Sequence, residues 1–145
     1  MRAVVQRVKE TSLRVDGELI SKIPFGLIVY FGVKRGDGYE SADYLASKIS
    51  KLRVFQDENG KMNKSVIDVS GEIMSVSQFT LYGDVSHGNR PSFIEAEVPE
   101  KAEPLYDYFC EKLASYGIAV KKGVFGADMK ISQLSDGPVT IIYDI

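Results

Sequence analysis

The chain has 145 residues, 44% of them hydrophobic and 26% charged, with one histidine, one cysteine and no tryptophan. That length fits one domain around a single core. A formal net charge of −2 excludes wholesale attraction to a polyanion, so a nucleic-acid partner has to be met by a local basic patch. No apolar run approaches the roughly eighteen residues of a membrane span. The single Cys110 excludes an internal disulfide and suits a reducing cytosol. The opening MRAVVQRVKE shows no apolar stretch followed by a small-residue cleavage site, so the expected location is cytoplasmic.

Met1 to Val8 reads as a strand. Ser12–Val15, Asp16-Gly17 and Glu18–Ile23 form a hairpin pattern, because Asp-Gly suits the left-handed positions of a tight turn. Gly26 to Gly32 is a continuous apolar run, the pattern of a strand buried on both faces. Ser41 to Leu52 spaces Tyr44, Leu45, Lys48, Ile49 and Leu52 as a helix does. After Arg53–Phe55, Asp57 to Gly60 reads as a turn. Glu72 to Leu81 alternates as a strand, and Gly83 to Pro91 is a polar loop. A second helix spans Pro99 to Gly117, with proline opening it, glycine closing it, and Leu105, Phe109, Leu113 and Tyr116 on one face. Ile118–Val124, Met129–Leu134 and Val139–Tyr143 fit three closing strands. The order strands, helix, strands, helix, strands argues an α/β single domain with a mixed sheet and two packed helices.

The usual catalytic constellations are missing. A Ser/His/Asp hydrolase needs an oriented histidine, and His87 sits in a Gly-Asn-Arg loop with only Asp84 near in sequence. One histidine and one cysteine cannot make the common metal-ligand sets. Cys110 borders the apolar stripe of its helix and reads as a small core residue. No phosphate-binding glycine loop is present, so no metal and no cofactor is expected.

Two segments stand out. In Ser75-Val-Ser-Gln-Phe-Thr-Leu81, polar Ser77, Gln78 and Thr80 interrupt a strand otherwise fit for burial, and buried polar groups need partners or a ligand. A regular strand would put Gln78 and Thr80 on one face and Ser77 on the other, so a Ser77–Thr80 pair requires a bend or the strand's end. The alternative is a satisfied Ser/Thr ladder. In Ser135-Asp-Gly-Pro-Val-Thr140, Pro138 belongs at a strand start or edge, and Gly137 permits backbone geometries other residues resist. A cis Gly-Pro bond, accessible at modest cost, would turn both carbonyls toward a common point as acceptors for an ammonium group. The alternative is an ordinary turn.

MRAVVQRV at the start, SQFTLYGD at Ser77–Asp84, RPSF at Arg90–Phe93, FGADM at Phe125–Met129 and DGPVT at Asp136–Thr140 together resemble the D-aminoacyl-tRNA deacylase family, in order and over the whole chain. Ser135 stands where that family carries asparagine before x-Gly-Pro-Val-Thr. The resemblance implies barrel-like mixed and antiparallel sheets, and a homodimer with two active sites at its interface. It implies that Ser77, Gln78, Phe79 and Thr80 of one subunit meet the carbonyls of Gly137 and Pro138 from the other. Arg7 would brace the Gly-Pro loop, while Phe125 and Met129 would wall the adenosine or amino-acid side. The implied activity is hydrolysis of D-aminoacyl-tRNA, and of glycyl-tRNA mischarged on tRNA(Ala), with rejection of the L-form: chiral proofreading in translation.

An aminoacyl ester is already activated, so positioning and an oxyanion donor can replace a strong nucleophile. A backbone N–H near Phe79–Thr80 would serve as that donor, and the 2′-hydroxyl of the tRNA's terminal ribose would position water. Thr80 as a nucleophile is the competing idea, with no base in view. The candidate cations for tRNA are Lys34, Arg35, Lys61, Lys64, Arg90, Lys121 and Lys122. A small RNA-binding module and a general Ser/Thr esterase are the rival classes.

Overall fold

In the computed structural model, which describes residues 1–145, the longest early element is a 14-residue strand, β1 (Arg2–Val15), that the remaining sheet is built around. Asp16 and Gly17, both at positive φ, turn the chain into β2 (Glu18–Ile23), as the Asp-Gly pair requires. β3 (Gly26–Gly32) then returns along the first half of β1, so β2 and β3 pair successive stretches of one strand. Leu27, Ile28, Val29 and Phe31 of β3 are all buried, the both-faces burial expected of an unbroken apolar run.

Helix α1 (Tyr39–Ser50) starts and stops two residues before the predicted Ser41–Leu52. Its buried stripe is Ala42, Leu45, Ala46 and Ile49, while Tyr44 and Lys48 face outward with the ammonium over the ring. A short pair, β4 (Phe55–Gln56) and β5 (Met62–Lys64), flanks the turn in which Asp57 accepts the N–H groups of Asn59 and Lys61. β6 (Glu72–Ser77) runs parallel to β3, and β7 (Val120–Lys122) runs parallel to β6. Between them, α2 (Pro99–Ser115) packs Leu105, Tyr106, Phe109, Cys110 and Leu113 inward. Phe109 stacks on Phe31 with centroids 4.3 Å apart. Gly117, at φ +82°, ends the helix as its position predicts.

The last strand, β8 (Met129–Asp144), pairs the other edge of β1 along its whole length. The sheet order is β2-β1-β3-β6-β7, with β8 attached to β1. Ser21 of β2 donates to the Lys122 carbonyl at 2.6 Å, which draws the two ends of the order together into a nearly closed barrel. The mixed α/β single-domain expectation holds, with both helices over one face of the sheet and a 22-residue core beneath them. A smaller cluster of Val8, Leu13, Ile23, Ile28, Met74 and Val76 fills the opposite side. Each such fully buried aliphatic side chain contributes roughly 1.5–3 kcal/mol.

Four predicted strand limits change. The expected Met1–Val8 and Ser12–Val15 are one strand, β1, because β8 keeps pairing through Glu10 and Thr11 between them. β6 stops at Ser77, and Phe79–Tyr82 forms a 3-10 turn where a strand was expected to continue to Leu81. The reason lies next door: Gly32 has no side chain, and a Cβ there would stand 3.0 Å from the Gln78 carbonyl and 3.3 Å from both Leu81 and Tyr82. The chain can therefore fold over the end of β3. The predicted Ile118–Val124 shrinks to Val120–Lys122. Met129–Leu134 and Val139–Tyr143 merge into one strand because a single partner, β1, runs past both.

Candidate functional site

Gln78 N–H donates to the Phe31 carbonyl at 2.8 Å, the last sheet-like bond before the turn. The chain then bends, so the Gln78 amide reaches the Thr80 hydroxyl and donates to it. The first N–H groups of such a turn, those of Phe79 and Thr80, have no acceptor within it. Phe79 is 58% exposed and meets Phe93 edge to face at 5.0 Å. Thus the bend that a Ser77–Thr80 arrangement required is present, at the strand's end.

Beside this turn lies a cavity of about 630 Å³, the size of a nucleoside or amino-acid site. Of the nine candidate residues, Ser77, Gln78, Phe79, Phe125 and Met129 line it together. Thr80 is exposed and outside the lining, bonded to Gln78. The FGADM stretch walls one side, and Phe93 of RPSF contributes as well. Arg35, Glu97, Tyr106 and Asp128 also line it. Arg35 reads from sequence only as a candidate cation for tRNA, Asp128 lies within FGADM without a role assigned to it, and Tyr106 reads from sequence only as an interior helix position.

Gly137, Pro138 and Arg7 are elsewhere. Val8 pairs with Ser135 and Gln6 with Thr140, so the four residues Asp136 to Val139 bulge opposite Arg7 alone. The Gly137-Pro138 bond is cis. Arg7, only 8% exposed, holds Asp136 at 3.0 Å through Nε and donates Nη1 to the Val54 carbonyl. Gly137 has φ +123°, and a Cβ would meet Val139 Cγ2 at 2.8 Å and Arg7 Nη2 at 3.2 Å. Ser135 accepts from Gln133 at 2.9 Å, so this serine is anchored through a neighbouring amide. In register terms, Arg7 is opposite Leu27 and Ser77 is opposite Phe31, with three strand spacings from β8 to β6. That separates the two segments by on the order of 20 Å in one chain.

Between them the outer face of β8, β1 and β3 is open. Ile142 is 67% exposed and pairs with the half-buried Val4, itself opposite Tyr30. A polar chain runs beside them: Tyr30 donates to Gln133, Gln133 to Gln6, and Gln6 to Thr140.

No histidine or thiol base serves the pocket, and its two carboxylates are engaged: the Val98 and Gly36 N–H groups hold Glu97 below its usual range, and Asp128 pairs with Lys130 at 2.8 Å. The Ser86 hydroxyl and the Asp84 carboxylate lie 2.8 Å and 3.7 Å from the same ring nitrogen of His87, which is 93% exposed. A hydrolytic triad needs the two partners on opposite nitrogens. Asp84 itself is held below the usual carboxylate range by the Ser86 N–H. Burial pushes up the Tyr106 phenol and the Cys110 thiol, which keeps both protonated at neutral pH. Cys110 is the small core residue expected of it.

The profile of the D-Tyr-tRNA(Tyr) deacylase family matches residues 4–144. The D-aminoacyl-tRNA deacylases of Bacillus cytotoxicus and Bacillus thuringiensis are each 51% identical over 144 residues, covering 99% of both chains. A solved structure titled c-Myc DNA Unwinding Element Binding Protein superposes with a TM-score of 0.94 at 44% identity, over 100% of this chain and 99% of that one. A second, of a probable eukaryotic D-amino acid tRNA deacylase, has a TM-score of 0.85 at 19% identity and shares the fold, over 99% and 98% of the two chains. The chain belongs to the D-Tyr-tRNA(Tyr) deacylase family.

Proposed function

We propose that this chain hydrolyses the ester of D-aminoacyl-tRNA in the cavity beside Ser77–Thr80, and that the Gly137-Pro138 segment of a second copy completes the site. Membership of the deacylase family makes the chain a hydrolase of aminoacyl-tRNA. The observation that carries the finer reading is the division of the candidate residues. One chain holds a cavity with backbone donors at its rim, and presents its exposed Gly-Pro bulge on the other side of an open, partly apolar sheet face. A two-fold pairing through that face would give each cavity the partner's bulge, as an isologous interface repeats every contact twice.

In this site the Phe79 and Thr80 N–H groups stabilise the developing oxyanion, and one such donor is worth about 2.7–4 kcal/mol. The partner's Gly137 and Pro138 carbonyls accept the substrate ammonium. Phe125 and Met129 wall the adenosine or amino-acid side. The tRNA's own 2′-hydroxyl positions the water, since the pocket holds no histidine and its carboxylates, Glu97 and Asp128, are engaged by backbone N–H groups and Lys130. Rigid carbonyls at the α-carbon leave no room for an L side chain, and each 1.4 kcal/mol of clash gives about tenfold rejection. Glycine, with nothing to clash, enters, so glycyl-tRNA mischarged on tRNA(Ala) is a substrate. The activity is chiral proofreading in the cytoplasm, where tRNA is charged.

Release of D-tyrosine and L-tyrosine from matched charged tRNAs tests the reading. Rapid loss of the D-form alone is expected. If neither form is lost faster than in buffer, the assignment fails.

A further inference from the structure

We propose that a second, basic cleft at the C-terminal end of α1, lined by Lys48, Lys51 and Arg53, holds backbone phosphates of the tRNA whose ester is cleaved in the partner's cavity. This rests on the deacylase reading above. The cleft has a volume of about 390 Å³ and its six lining residues are Ser47, Lys48, Lys51, Leu52, Arg53 and Tyr143. Three are cations and none is a carboxylate, in a chain whose net charge is −2.

Nine of the 18 lysines and arginines pair with carboxylates, and of the nine that do not, three gather at this one cleft while Arg14, Arg35, Lys61, Arg90, Lys101 and Lys121 lie elsewhere. Lys34 pairs with Glu95 and Lys112 with Asp43, at 3.2 and 3.1 Å, while Lys64 and Lys122 bind Glu58 and Asp107. That removes Lys34, Lys64 and Lys122 from the unpaired cations the sequence offered. By contrast Lys48 only overlies the Tyr44 ring, and Arg53 spends two of its nitrogens on Asn63, a neutral partner. No ion pair reaches Lys48, Lys51 or Arg53. Lys48 in the last turn answers the helix dipole. Arg53, beyond the helix end, is not explained that way. Three like charges around one cleft repel each other unless an anion sits among them.

Position supplies the second argument. Arg53 is bonded to Val54, Val54 gives its carbonyl to Arg7, Arg7 holds Asp136, and Asp136 precedes Gly137. The cleft is therefore mechanically tied to the bulge offered to the partner. A 3′ ester seated against that bulge brings the preceding nucleotides over the same surface. A phosphate backbone supplies the regularly spaced anions that three unpaired cations fit.

The test compares wild type with the combined Lys48→Gln, Lys51→Gln, Arg53→Gln variant on D-tyrosyl-tRNA and on D-tyrosyl-adenosine, which has no phosphates. At low salt, kcat/KM for the tRNA should fall at least about tenfold through KM, and its log–log salt slope should become shallower by about two units. The adenosine ester should not follow. A control variant, Arg14→Gln, Lys22→Gln and Lys101→Gln, removes the same charge elsewhere. An unchanged slope in the cleft variant, or an equal change in the control, overturns the proposal. If wild type cleaves neither substrate, the deacylase reading falls by itself. Filter binding of uncharged tRNA then decides the cleft: equal affinity for wild type and variant overturns it.

Discussion

Arg7 and Asp136 face each other at 3.0 Å across the point where β1 and β8 lose register. The guanidinium is nearly buried and also bound to the Val54 carbonyl, so it ties the bulge to the body of the domain. Arg7→Met should cost about 1.5–3 kcal/mol, the range for hydrogen bonds to charged groups. Its activity should drop further than the lost stability explains, because the bulge is released. Urea melts and initial rates on the same preparation check this; full activity at reduced stability would deny Arg7 a positioning role.

A shared site predicts complementation. Gly137→Ala clashes with Val139, and Ala127→Trp fills the cavity that Ala127 lines. Each variant alone should be inactive. Unfolded together and refolded, the mixture should recover roughly a quarter of wild-type activity, since half the dimers are mixed and each keeps one intact site. No recovery would sink the two-copy reading.

Because chemistry is assigned to backbone and substrate groups, side-chain deletions should be mild. Thr80→Ala should retain about a tenth or more of kcat, the loss of one neutral hydrogen bond. His87→Ala should stay within about twofold of wild type, since its exposed ring lies outside the cavity's lining. Complete inactivation of Thr80→Ala with accumulation of an acyl-enzyme would favour the nucleophile instead.

Gly32→Ala probes the turn from beneath. The new methyl, 3.0 Å from the Gln78 carbonyl, has to push the turn outward. Overpacking of this kind costs about 1–3 kcal/mol. A lower urea midpoint at unchanged m is expected, with a lower kcat. Unaltered kcat would mean that the turn's position does not matter to the reaction.

Acid should unfold the protein late. Arg2 holds the Asp144 carboxyl below its usual range, and the Ser65 N–H does the same for Asp68. A depressed folded pKa adds stability that is complete above the unfolded value near 3.9 and is lost as pH falls through the folded one. The melting temperature should be level from pH 5 to 8 and decline below about pH 4. A decline beginning at pH 6–7 would point to a group other than these carboxylates.

The elements whose signals are local were readable in the sequence. Asp16-Gly17, the apolar run at Gly26–Gly32 and the Pro99-to-Gly117 frame each carry their own geometry. What depended on a distant neighbour was not. The end of β6 at Ser77 is set by Gly32, about forty-five residues earlier in the chain, and no pattern within Glu72–Leu81 announces it. The merging of the last two strands is set by the length of β1.

The site was legible to a similar degree. Five candidates do converge on one cavity, and they come from the motifs that carried the family resemblance. Glu97 escaped because a surface charge on a loop looks the same in sequence whether or not a cavity lies behind it, while Arg35 reads only as a cation for tRNA and Asp128 stands inside FGADM with no role assigned. The basic cleft escaped for the same reason: Lys48, Lys51 and Arg53 stand at the end of a helix, where lysines are commonplace.

The proposed reacting groups at the turn and the bulge are peptide carbonyls, which every residue possesses, and peptide N–H groups, which every residue but proline possesses. Among single substitutions only proline, which lacks the N–H, can delete one of the amide donors, and none can delete a carbonyl. Inheritance damages such a site chiefly through the few positions that aim it: Gly32 and Gly137, where a Cβ has no room, and Arg7, whose ion pair with Asp136 no smaller side chain replaces. A site built this way exposes a small mutational target, and its failures should cluster at glycines and one arginine instead of at anything resembling a catalytic triad.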